Sequence, residues 1–382
     1  MKILITSIWP INKFSIGGTE RYIIDLSTAL KKSGHNVHVL MLSGENNFIN
    51  EVEYLPIEIT GISKLDEYSI KESFFKEFNQ KNLDAFSNLI QEHIDSNNYD
   101  IVHINSLLQV GVKTNALKVV TVHTNPFEFD QNWGKGSFQE IAKVIADKYS
   151  HNILFCAPSM YYAKQYKEAF KTVVKYIPHA INPQRLITSL SKAECLKKYG
   201  IKDGFNILVP SRLELEQKRQ DLGLKSIIRA KTKLPKNTQV IFTGLDDQYG
   251  ANIDFLNDLA KQANIPCYFI KFTDMSEAYN ITDIVLLPSR SESFGYAALE
   301  SLTKNLKTIL SDIPSFKEIA IGNNYAFISK QTVIGFAEKL IEAVRCKTQS
   351  ENSQKFQHWQ NRYSLGQWVK RYLNFYTNIS ES

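Results

Sequence analysis

Short apolar runs alternate with amphipathic stretches along the first half of the chain. Six runs rich in Val, Ile and Leu are predicted to be strands: Lys2–Thr6, Val37–Leu42, Ile101–Asn105, Val119–His123, Ile153–Ala157 and Val174–Ile177. Between them, apolar residues recur about every 3.6 positions, as expected for a helix with one apolar face, at Leu83, Phe86, Ile90 and Ile94. Parallel strands covered by helices on both faces read as continuous apolar runs. The pattern therefore predicts a doubly wound α/β domain.

The same alternation restarts in the second half of the chain. Its predicted strands are Asn206–Pro210, Gln239–Thr243, Cys267–Ile270, Ile284–Leu287, Thr308–Leu310 and Ala326–Ile328. A break around Pro178–Pro183 precedes a charged helix, and we place the domain boundary there. We predict two Rossmann-like domains, 1–181 and 182–356, and an aromatic C-terminal helical segment at about 357–382 that joins the first domain. Two such domains leave a cleft faced by the carboxyl ends of their strands.

The composition narrows the class of protein. The 382 residues are 43% apolar and carry a formal net charge of +6. This mild excess is too small to indicate nucleic-acid binding, and it suits an anionic substrate or contact with anionic lipid. The four cysteines are scattered, which indicates reduced thiols and no zinc site. No apolar run reaches the roughly 20 residues of a membrane span, and the first residues lack the shape of a signal peptide. We expect a cytoplasmic protein, with membrane contact limited to the cytosolic face.

The segment Pro288–Glu300 contains the most informative candidate chemistry. It follows an apolar run and places Glu292 and Glu300 on either side of the step Phe294-Gly295. We predict a strand, a loop, a glycine turn and the start of a helix. A helix N-terminus offers unpaired N–H groups that suit a phosphate, and carboxylates suit sugar hydroxyls. Taken alone, two carboxylates also fit the acid–base pair of a glycoside hydrolase.

Two further loops have groups that suit a phosphate. Gly17 and Gly18 stand between the first strand and a helix, where glycines let the backbone approach a ligand closely. Arg212 and Lys218 follow the first strand of the second domain, where a guanidinium fork and a lysine point charge suit a diphosphate. The simpler interpretations are a helix-capping loop and a solvated basic loop. The glycines do not form GxGxxG, so the dinucleotide fingerprint is absent.

Three histidines stand near predicted strand ends. His123 closes the apolar run Val119–Val122, where an imidazole can hydrogen-bond a substrate hydroxyl. More commonly such a histidine is a structural hydrogen-bonding group, which is our interpretation of His103. His179 follows Pro178 at the predicted hinge, and the sequence leaves its role open.

Taken together, these segments resemble the retaining glycosyltransferases of family 4, which have the GT-B fold of two Rossmann-like domains facing a central cleft. The resemblance runs nearly from end to end. Its early motifs are Gly17-Gly18-Thr19-Glu20, similar to the GGxE loop, and Asp100-Ile101-Val102-His103, similar to the D-[IV]-[VI]-H strand. Its later motifs are more specific. Arg212 and Lys218 match R-x5-K, and Glu292–Glu300 matches E-x7-E with the internal Phe-Gly.

The resemblance implies roles for the charged residues of the second domain. Arg212 and Lys218 would neutralise the diphosphate of a nucleotide-sugar donor, including the charge that grows on the leaving group. Glu300 would accept hydrogen bonds from the ribose. Glu292 would hold the hydroxyls of the transferred sugar. The family transfers sugars with retention of configuration, and no DxD-type metal site is evident in the sequence, so no metal or cofactor is expected.

The resemblance also implies a surrounding binding surface. The backbone at Phe294, Gly295 and Tyr296 would contact the sugar or the phosphate, and Gly17 and Gly18 would border the diphosphate from the first domain. His123 would lie near the donor sugar and the acceptor, and the nucleobase would rest near Lys271 and Phe272. Acceptor recognition would fall to the first domain, around Phe48–Phe78 and Thr124–Trp133. Within the former, Phe74–Phe78 has two interpretations, a surface for a lipid-linked acceptor or an ordinary helix with a buried aromatic face.

Three segments depart from the family pattern. At the hinge, Pro178–Asn182 lacks the family's glycine. Lys218 is followed by Arg219 where Lys-Gly is usual, and Asp312–Ser315 stands where a glycine pair is common. None of these changes removes a charged residue of the predicted site.

The donor is predicted to be a UDP-hexose or a UDP-N-acetylhexosamine, and the acceptor a glycan, a lipid-linked glycan or a protein. One alternative is a partner subunit that binds a nucleotide sugar without turnover. Another is a dinucleotide oxidoreductase, which the missing GxGxxG disfavours.

Overall fold

The computed structural model describes residues 1–11, 17–42, 45–57, 80–244, 248, 250–271, 274–346 and 354–377. They form two compact units. The first unit comprises Met1–Ala180 with Leu365–Ser382, and the second comprises Ile181–Ser364. Each unit has its own sheet and its own helices, and each is described separately.

In the described residues, the first unit contains a sheet of eight strands. These are β1 Lys2–Ser7, β2 Asn36–Leu42, β3 Asn47–Ile49, β4 Val52–Ile57, β5 Ile101–Ile104, β6 Leu117–Thr121, β7 Leu154–Ala157 and β8 Val174–Tyr176. Their order is β3-β4-β2-β1-β5-β6-β7-β8. All neighbours pair in parallel except β3 with β4. The order reverses between β1 and β5, where doubly wound sheets bind ligands.

The helices of the first unit are α1 Gly18–Lys32, α2 Gln80–Asp95, α3 Pro126–Trp133, α4 Ser137–Lys148, α5 Met160–Phe170 and α14 Leu365–Thr377. Helix α1 illustrates how they form. Tyr22, Leu26 and Leu30 lie at helical spacing and are fully buried. The helix ends before Gly34, whose φ of 85° favours glycine.

Among its described residues, the second unit contains a six-stranded parallel sheet in the order β11-β10-β9-β12-β13-β14. Its strands are β9 Phe205–Pro210, β10 Thr238–Thr243, β11 Cys267–Ile270, β12 Ile284–Leu287, β13 Lys307–Ser311 and β14 Ala326–Ser329. Numbered within the unit, this is the doubly wound order 3-2-1-4-5-6. The order reverses between β9 and β12.

Its helices are α6 Lys192–Lys198, α7 Gln220–Ala230, α8 Ala251–Gln262, α9 Met275–Asn280, α10 Tyr296–Thr303, α11 Pro314–Ala320, α12 Val333–Arg345 and α13 Gln354–Arg362. A capping box starts α6, in which Ser191 and Glu194 bond each other's backbone N–H groups. Buried aliphatic side chains of β9, β10 and β12 pack against α7 and α12 on one face of the sheet.

All twelve strands predicted from the apolar runs are present, within two residues at either end. The prediction omitted β3 and β4. Strand β3 has three residues and an exposed Phe48, and β4 alternates and contains Pro56, so neither reads as a continuous apolar run.

The C-terminal segment divides between the two units, whereas the prediction assigned all of it from about residue 357 to the first domain. Phe356, Trp359 and Tyr363 are buried in the core of the second unit, and the Trp359 indole N–H donates to the Ile319 carbonyl at 2.6 Å. The chain joins the first unit only at Leu365. At the other boundary, Ile181 begins the second unit, one residue before the predicted start.

Candidate functional site

The charged candidates of the second unit lie at the carboxyl edge of its sheet, where the strand order reverses. Strands β9 and β12 are neighbours, with Ile207 opposite Ile284 in the parallel register. The loop after β9 contains Arg212 and Lys218, and the loop after β12 contains Glu292. In doubly wound sheets this edge is the usual ligand-binding position. The fold therefore brings the two distant sequence motifs to one place.

Lys218 and Glu292 are in direct contact. The Lys218 Nζ donates to Glu292 Oε1 at 2.9 Å, and the two side chains are only 15% and 16% exposed. Ser289 Oγ donates to the same carboxylate oxygen at 2.8 Å, and Ser315 Oγ donates to the Glu292 backbone carbonyl at 2.8 Å. The Glu292 carboxylate is thus fixed from both loops and charge-balanced.

Arg212 precedes Lys218 in the loop after β9, and it is exposed. Its Nη2 donates to the Gln217 side-chain oxygen at 3.3 Å. The end of β10 packs against its main chain. At Gly244 (φ 100°), an added Cβ would lie 2.6 Å from the Arg212 Cα and 2.4 Å from the Ser211 carbonyl oxygen. Only glycine permits this approach. The sequence prediction missed Gly244. The sequence feature that could have indicated it is a glycine directly after a predicted strand.

The predicted glycine turn and helix start are present. Strand β12 ends at Leu287, and α10 begins at Tyr296 with Gly295 as its N-cap at φ 104°. A Cβ on Gly295 would lie 2.5 Å from the Phe316 ring, so both the conformation and the space require glycine. Phe294 is buried, and its ring centroid lies 5.5 Å from that of Tyr296.

Glu300 occupies a different environment from Glu292. It is 5% exposed on α10, and the Tyr279 hydroxyl donates to its Oε2 at 2.7 Å. The two glutamates of the motif are therefore in different surroundings, with the Glu292 carboxylate bound to an ammonium and the Glu300 carboxylate bound to a phenol.

The other predicted contacts in the second unit are partly described. Lys271 is exposed and directly follows β11, at the same edge of the sheet. Phe272 lies outside the described residues, as does Phe74–Phe78 in the first unit.

The two glycines of the first unit lie where helix α1 begins, after β1. Gly17 is the N-cap and Gly18 the first helical residue. The φ of Gly17 is −65°, which any residue adopts. A Cβ there would lie 2.1 Å from Oε2 of Glu20, but this is the end of a flexible side chain that can move away, so neither the conformation nor the space requires glycine at this position.

His123 lies just after β6 and contacts Asn105. The Asn105 amide N–H group donates to the Thr6 carbonyl at 3.1 Å, which leaves its oxygen to accept from His123 Nε2 at 2.8 Å. This contact places the proton on Nε2. The ring centroids of Tyr22 and His179 lie 4.5 and 5.4 Å away. Burial lowers the pKa of His123 to about 3, so the imidazole is neutral at neutral pH.

His103 is part of a fully buried polar network that joins α14 to the sheet. Its Nδ1 lies 2.6 Å from the Tyr376 hydroxyl, and its Nε2 lies 2.7 Å from the Thr121 hydroxyl. The Tyr22 hydroxyl donates to Tyr372 at 2.7 Å in the same network. Burial, with a smaller contribution from His123, lowers the pKa of His103 to about 3. These contacts agree with a structural role for His103.

His179, whose role the sequence left open, is 2% exposed. It packs against Tyr22, His123 and Trp368, with ring centroids 4.6 to 6.2 Å apart. Burial, and then the proximity of His123, lowers its pKa well below the ordinary value. It is therefore a neutral ring of the first-unit core.

Across the described part of the chain, no group of three or more His, Cys, Asp and Glu side chains has the arrangement of a metal site. Within the same residues, every helix is too short or too polar to cross a membrane.

Both units match models of known protein families. Residues 16–185 match the model described as Glycosyltransferase Family 4, and residues 191–358 match the model described as Glycosyl transferases group 1. The chain belongs to the family 4 glycosyltransferases. The two matches divide close to the boundary between the structural units.

A curated relative is the O-antigen biosynthesis glycosyltransferase WclY of Escherichia coli, which is 28% identical over 193 residues. The alignment covers 49% of this chain and 51% of WclY, so the chain spans about half the length of that relative.

Solved structures resemble the whole chain. A glycosyltransferase from Rickettsia africae has a TM-score of 0.70 at 19% identity and covers 100% of this chain and 99% of its own. HepE from Anabaena, in complex with UDP and glucose, has a TM-score of 0.74 at 15% identity and covers 99% and 100%. At these identities the likeness shows the fold, which is GT-B.

Proposed function

We propose that this protein transfers a sugar from a nucleotide-diphosphate donor to a hydroxyl of a glycan or lipid-linked acceptor, with retention of configuration and without a metal. The observation that carries the proposal is the 2.9 Å contact between Lys218, in the loop after β9, and Glu292, in the loop after β12. The loop after β9 also contains Arg212. A ligand-binding edge with two cations and a sugar-binding carboxylate suits a nucleotide sugar.

The charges suit the bond that breaks. When the bond between the sugar and the diphosphate opens, negative charge grows on the phosphate oxygens and positive charge on the sugar. Arg212 and Lys218 oppose the first change, and Glu292 orients the sugar through its hydroxyls. By analogy with the deletion of one oxyanion donor, each cation is expected to supply about 2.7–4 kcal/mol of transition-state stabilisation. The leaving phosphate then helps to take the proton of the attacking hydroxyl.

In this structure Lys218 and Glu292 bind each other. Donor binding would exchange these partners, with phosphate oxygens replacing Glu292 at Lys218 and sugar hydroxyls replacing Lys218 at Glu292. Glu300 would bind the ribose hydroxyls, and the backbone from Phe294 to Tyr296 would contact the sugar or the phosphate. In the first unit, Gly17 and Gly18 would border the diphosphate, and the neutral His123 would offer Nδ1 as an acceptor, since its Nε2–H is donated to Asn105.

We assign UDP as the nucleotide and a hexose or N-acetylhexosamine as the sugar. The likeness in fold to HepE, whose structure contains UDP and glucose, supports this choice. The relative WclY is described as an O-antigen biosynthesis enzyme, which supports a glycan as the acceptor. We expect the protein to be cytoplasmic, with contact to the cytosolic membrane surface if its acceptor is lipid-linked.

A donor screen tests the proposal. Thermal unfolding with UDP, GDP, UDP-glucose, UDP-N-acetylglucosamine and GDP-mannose should show stabilisation by the UDP compounds, equal to about 2.7 kcal/mol at 100 times the dissociation constant. The absence of a shift with every nucleotide would refute the donor site.

Turnover distinguishes an enzyme from a partner subunit that only binds the nucleotide sugar. Release of UDP from the bound donor should accelerate when a glycan acceptor is added. The same rate in EDTA and in Mg²⁺ would support metal-independent transfer. Donor binding without any release, across a panel of acceptors, would favour the partner subunit.

A further inference from the structure

Gln217, the residue before Lys218, is a buried amide at the candidate donor site. The residue is only 3% exposed. Burying an amide is costly unless both its oxygen and its nitrogen are hydrogen-bonded. The chemistry of its partners therefore indicates what the residue does.

The partners of Gln217 belong to both loops of the site. Its Oε1 accepts from the Arg212 guanidinium at 3.3 Å, within the loop after β9. Its Nε2 donates to the Ser291 carbonyl at 3.4 Å, and its own carbonyl accepts from the Arg290 N–H at 2.6 Å, both in the loop after β12. Its N–H donates to the Glu214 carboxylate at 2.9 Å. One residue thus connects Arg212 with the segment that immediately precedes Glu292.

This connection matters because of what donor binding would do. The Lys218–Glu292 pair also joins the two loops, but the exchange of partners described above would break it. The bonds of Gln217 to the Ser291 carbonyl and from the Arg290 N–H involve no group that the donor would take as its own, and the Arg212 guanidinium keeps further N–H donors for the phosphate. They can therefore keep the loops in register while Lys218 and Glu292 change partners.

The main chain at Arg212 is held separately. Gln220, which is fully buried, donates from Nε2 to the Arg212 carbonyl at 2.6 Å and to Ser211 Oγ at 2.8 Å. Loss of the Gln217 side chain should therefore leave the path of the Arg212 backbone intact. It should remove one acceptor from the Arg212 guanidinium and one donor from the Ser291 carbonyl.

We propose that Gln217 is a positioning residue that orients the Arg212 guanidinium and holds the Glu292 loop against the Lys218 loop during donor exchange. The inference rests on the proposed function for its kinetic consequences, whereas its structural consequence can be measured in the ligand-free protein.

The test compares Gln217→Met with Gln239→Met. Both glutamines are 3% exposed. Gln239 donates to Asn206 Oδ1 and to the Lys202 carbonyl, each at 2.6 Å. It lies at the amino end of β10, the edge opposite the site. Methionine keeps the length of either side chain and removes its hydrogen bonds.

Gln217→Met is expected to raise the KM for the donor and lower kcat, together reducing kcat/KM at least tenfold, as for the loss of a hydrogen bond to a charged group. The KM for the acceptor should not change. Gln239→Met should lower the Tm while kcat/KM stays within twofold. In an Arg212→Ala background, the effect of Gln217→Met on donor KM should become smaller, because the part that Gln217 exerts through the Arg212 guanidinium is already lost.

Hydrogen exchange of the ligand-free protein provides the second readout. Amides of residues 289–293 should exchange faster in Gln217→Met and at the wild-type rate in Gln239→Met. If Gln217→Met does not fold, Gln217→Glu replaces it, since a carboxylate keeps the acceptor for Arg212 and loses the donor to Ser291, and the same faster exchange is expected.

The positioning role is overturned if the Gln217 variant behaves like the Gln239 variant, with a lower Tm but unchanged exchange at 289–293 and unchanged kinetics. If the wild-type protein transfers no sugar from any nucleotide donor, the proposed function fails instead. Hydrogen exchange then decides the structural part of the inference by itself.

Discussion

The buried histidines of the first unit predict that mild acid destabilises this unit. His103 is fully buried, and burial lowers its pKa to about 3. In the unfolded chain its pKa is near 6.5. The folded form thus binds the proton less tightly than the unfolded form. Stability is complete above pH 6.5 and decreases as the pH falls below that value, until the folded pKa is reached.

The magnitude follows from the two pKa values. At pH 5 the unfolded state gains RT ln(1 + 10^1.5) from protonation of His103 and the folded state gains almost nothing, a loss of about 2 kcal/mol. His123 has the same low pKa but is less enclosed, so its contribution should be smaller. His179 adds a loss of the same sign. The expected total between pH 7.5 and 5 is therefore about 2–5 kcal/mol.

The assay must report on the first unit alone, because the two units can unfold separately. Cys156 serves this purpose. It is buried in the His103 network, and the other three cysteines lie in the second unit. Urea unfolding at each pH, followed by a thiol-labelling pulse read at Cys156 by mass spectrometry and normalised to the unfolded chain, gives the free energy of unfolding.

His103→Gln is expected to reduce the pH dependence by about 2 kcal/mol. His358→Gln, a change of an exposed histidine on α13, should leave it unaltered. A free energy of unfolding that is flat from pH 7.5 to 5, or a His103→Gln variant with the wild-type slope, would refute the reasoning.

Two further matched pairs test the second unit and the C-terminal helix. Lys218→Ala should reduce kcat by about 10² to 10³, as for the loss of one oxyanion donor. The control Lys225→Ala, which removes a surface ion pair with Asp221, should change neither kcat nor stability measurably. A Lys218→Ala variant with a kcat within about threefold of wild type would contradict the role assigned to this charge. Gly295→Ala should lower the free energy of unfolding of the second unit by more than about 1 kcal/mol and reduce transfer, because Gly295 has φ 104° and contacts Phe316. Gly366→Ala on α14, where a Cβ meets nothing within 4 Å, should stabilise the first unit by about 0.5–1 kcal/mol in urea titrations. If Gly295→Ala and Gly366→Ala changed the free energy of unfolding equally, backbone conformation and available space would not explain the effect of either substitution.

The sequence predicts the sheets well because a strand covered on both faces must be apolar throughout. Strands β9 and β12 are of this kind. The pattern fails where burial is one-sided, as in β4, whose residues alternate toward an edge of the sheet. It also fails at the division between α13 and α14. Both helices have aromatic stripes, and periodicity shows that a helix buries one face without showing which core receives it.

The candidate site is predictable to the extent that its chemistry is local in sequence. Arg212 with Lys218, and Glu292 with Glu300, were identified from spacing and resemblance. Gln217 was not, because a glutamine beside a lysine has no pattern that indicates burial. Its role depends on Ser291 and Arg290, more than 70 residues away in sequence, and only the parallel pairing of β9 with β12 brings the two loops together.

Under the proposed function, the Lys218–Glu292 pair neutralises two charges that the donor site requires. A largely buried ammonium or carboxylate without a partner destabilises the folded protein by several kcal/mol. Each group here neutralises the other, and Ser289 satisfies the carboxylate further. The donor must then displace an existing ion pair, so its binding gains only the difference between the new contacts and the old one. Charge that develops on the leaving phosphate strengthens the new contact at Lys218 and not the old one at Glu292. Under the proposed function, the arrangement would therefore favour the transition state over the bound donor, which is the condition for a contact to raise kcat.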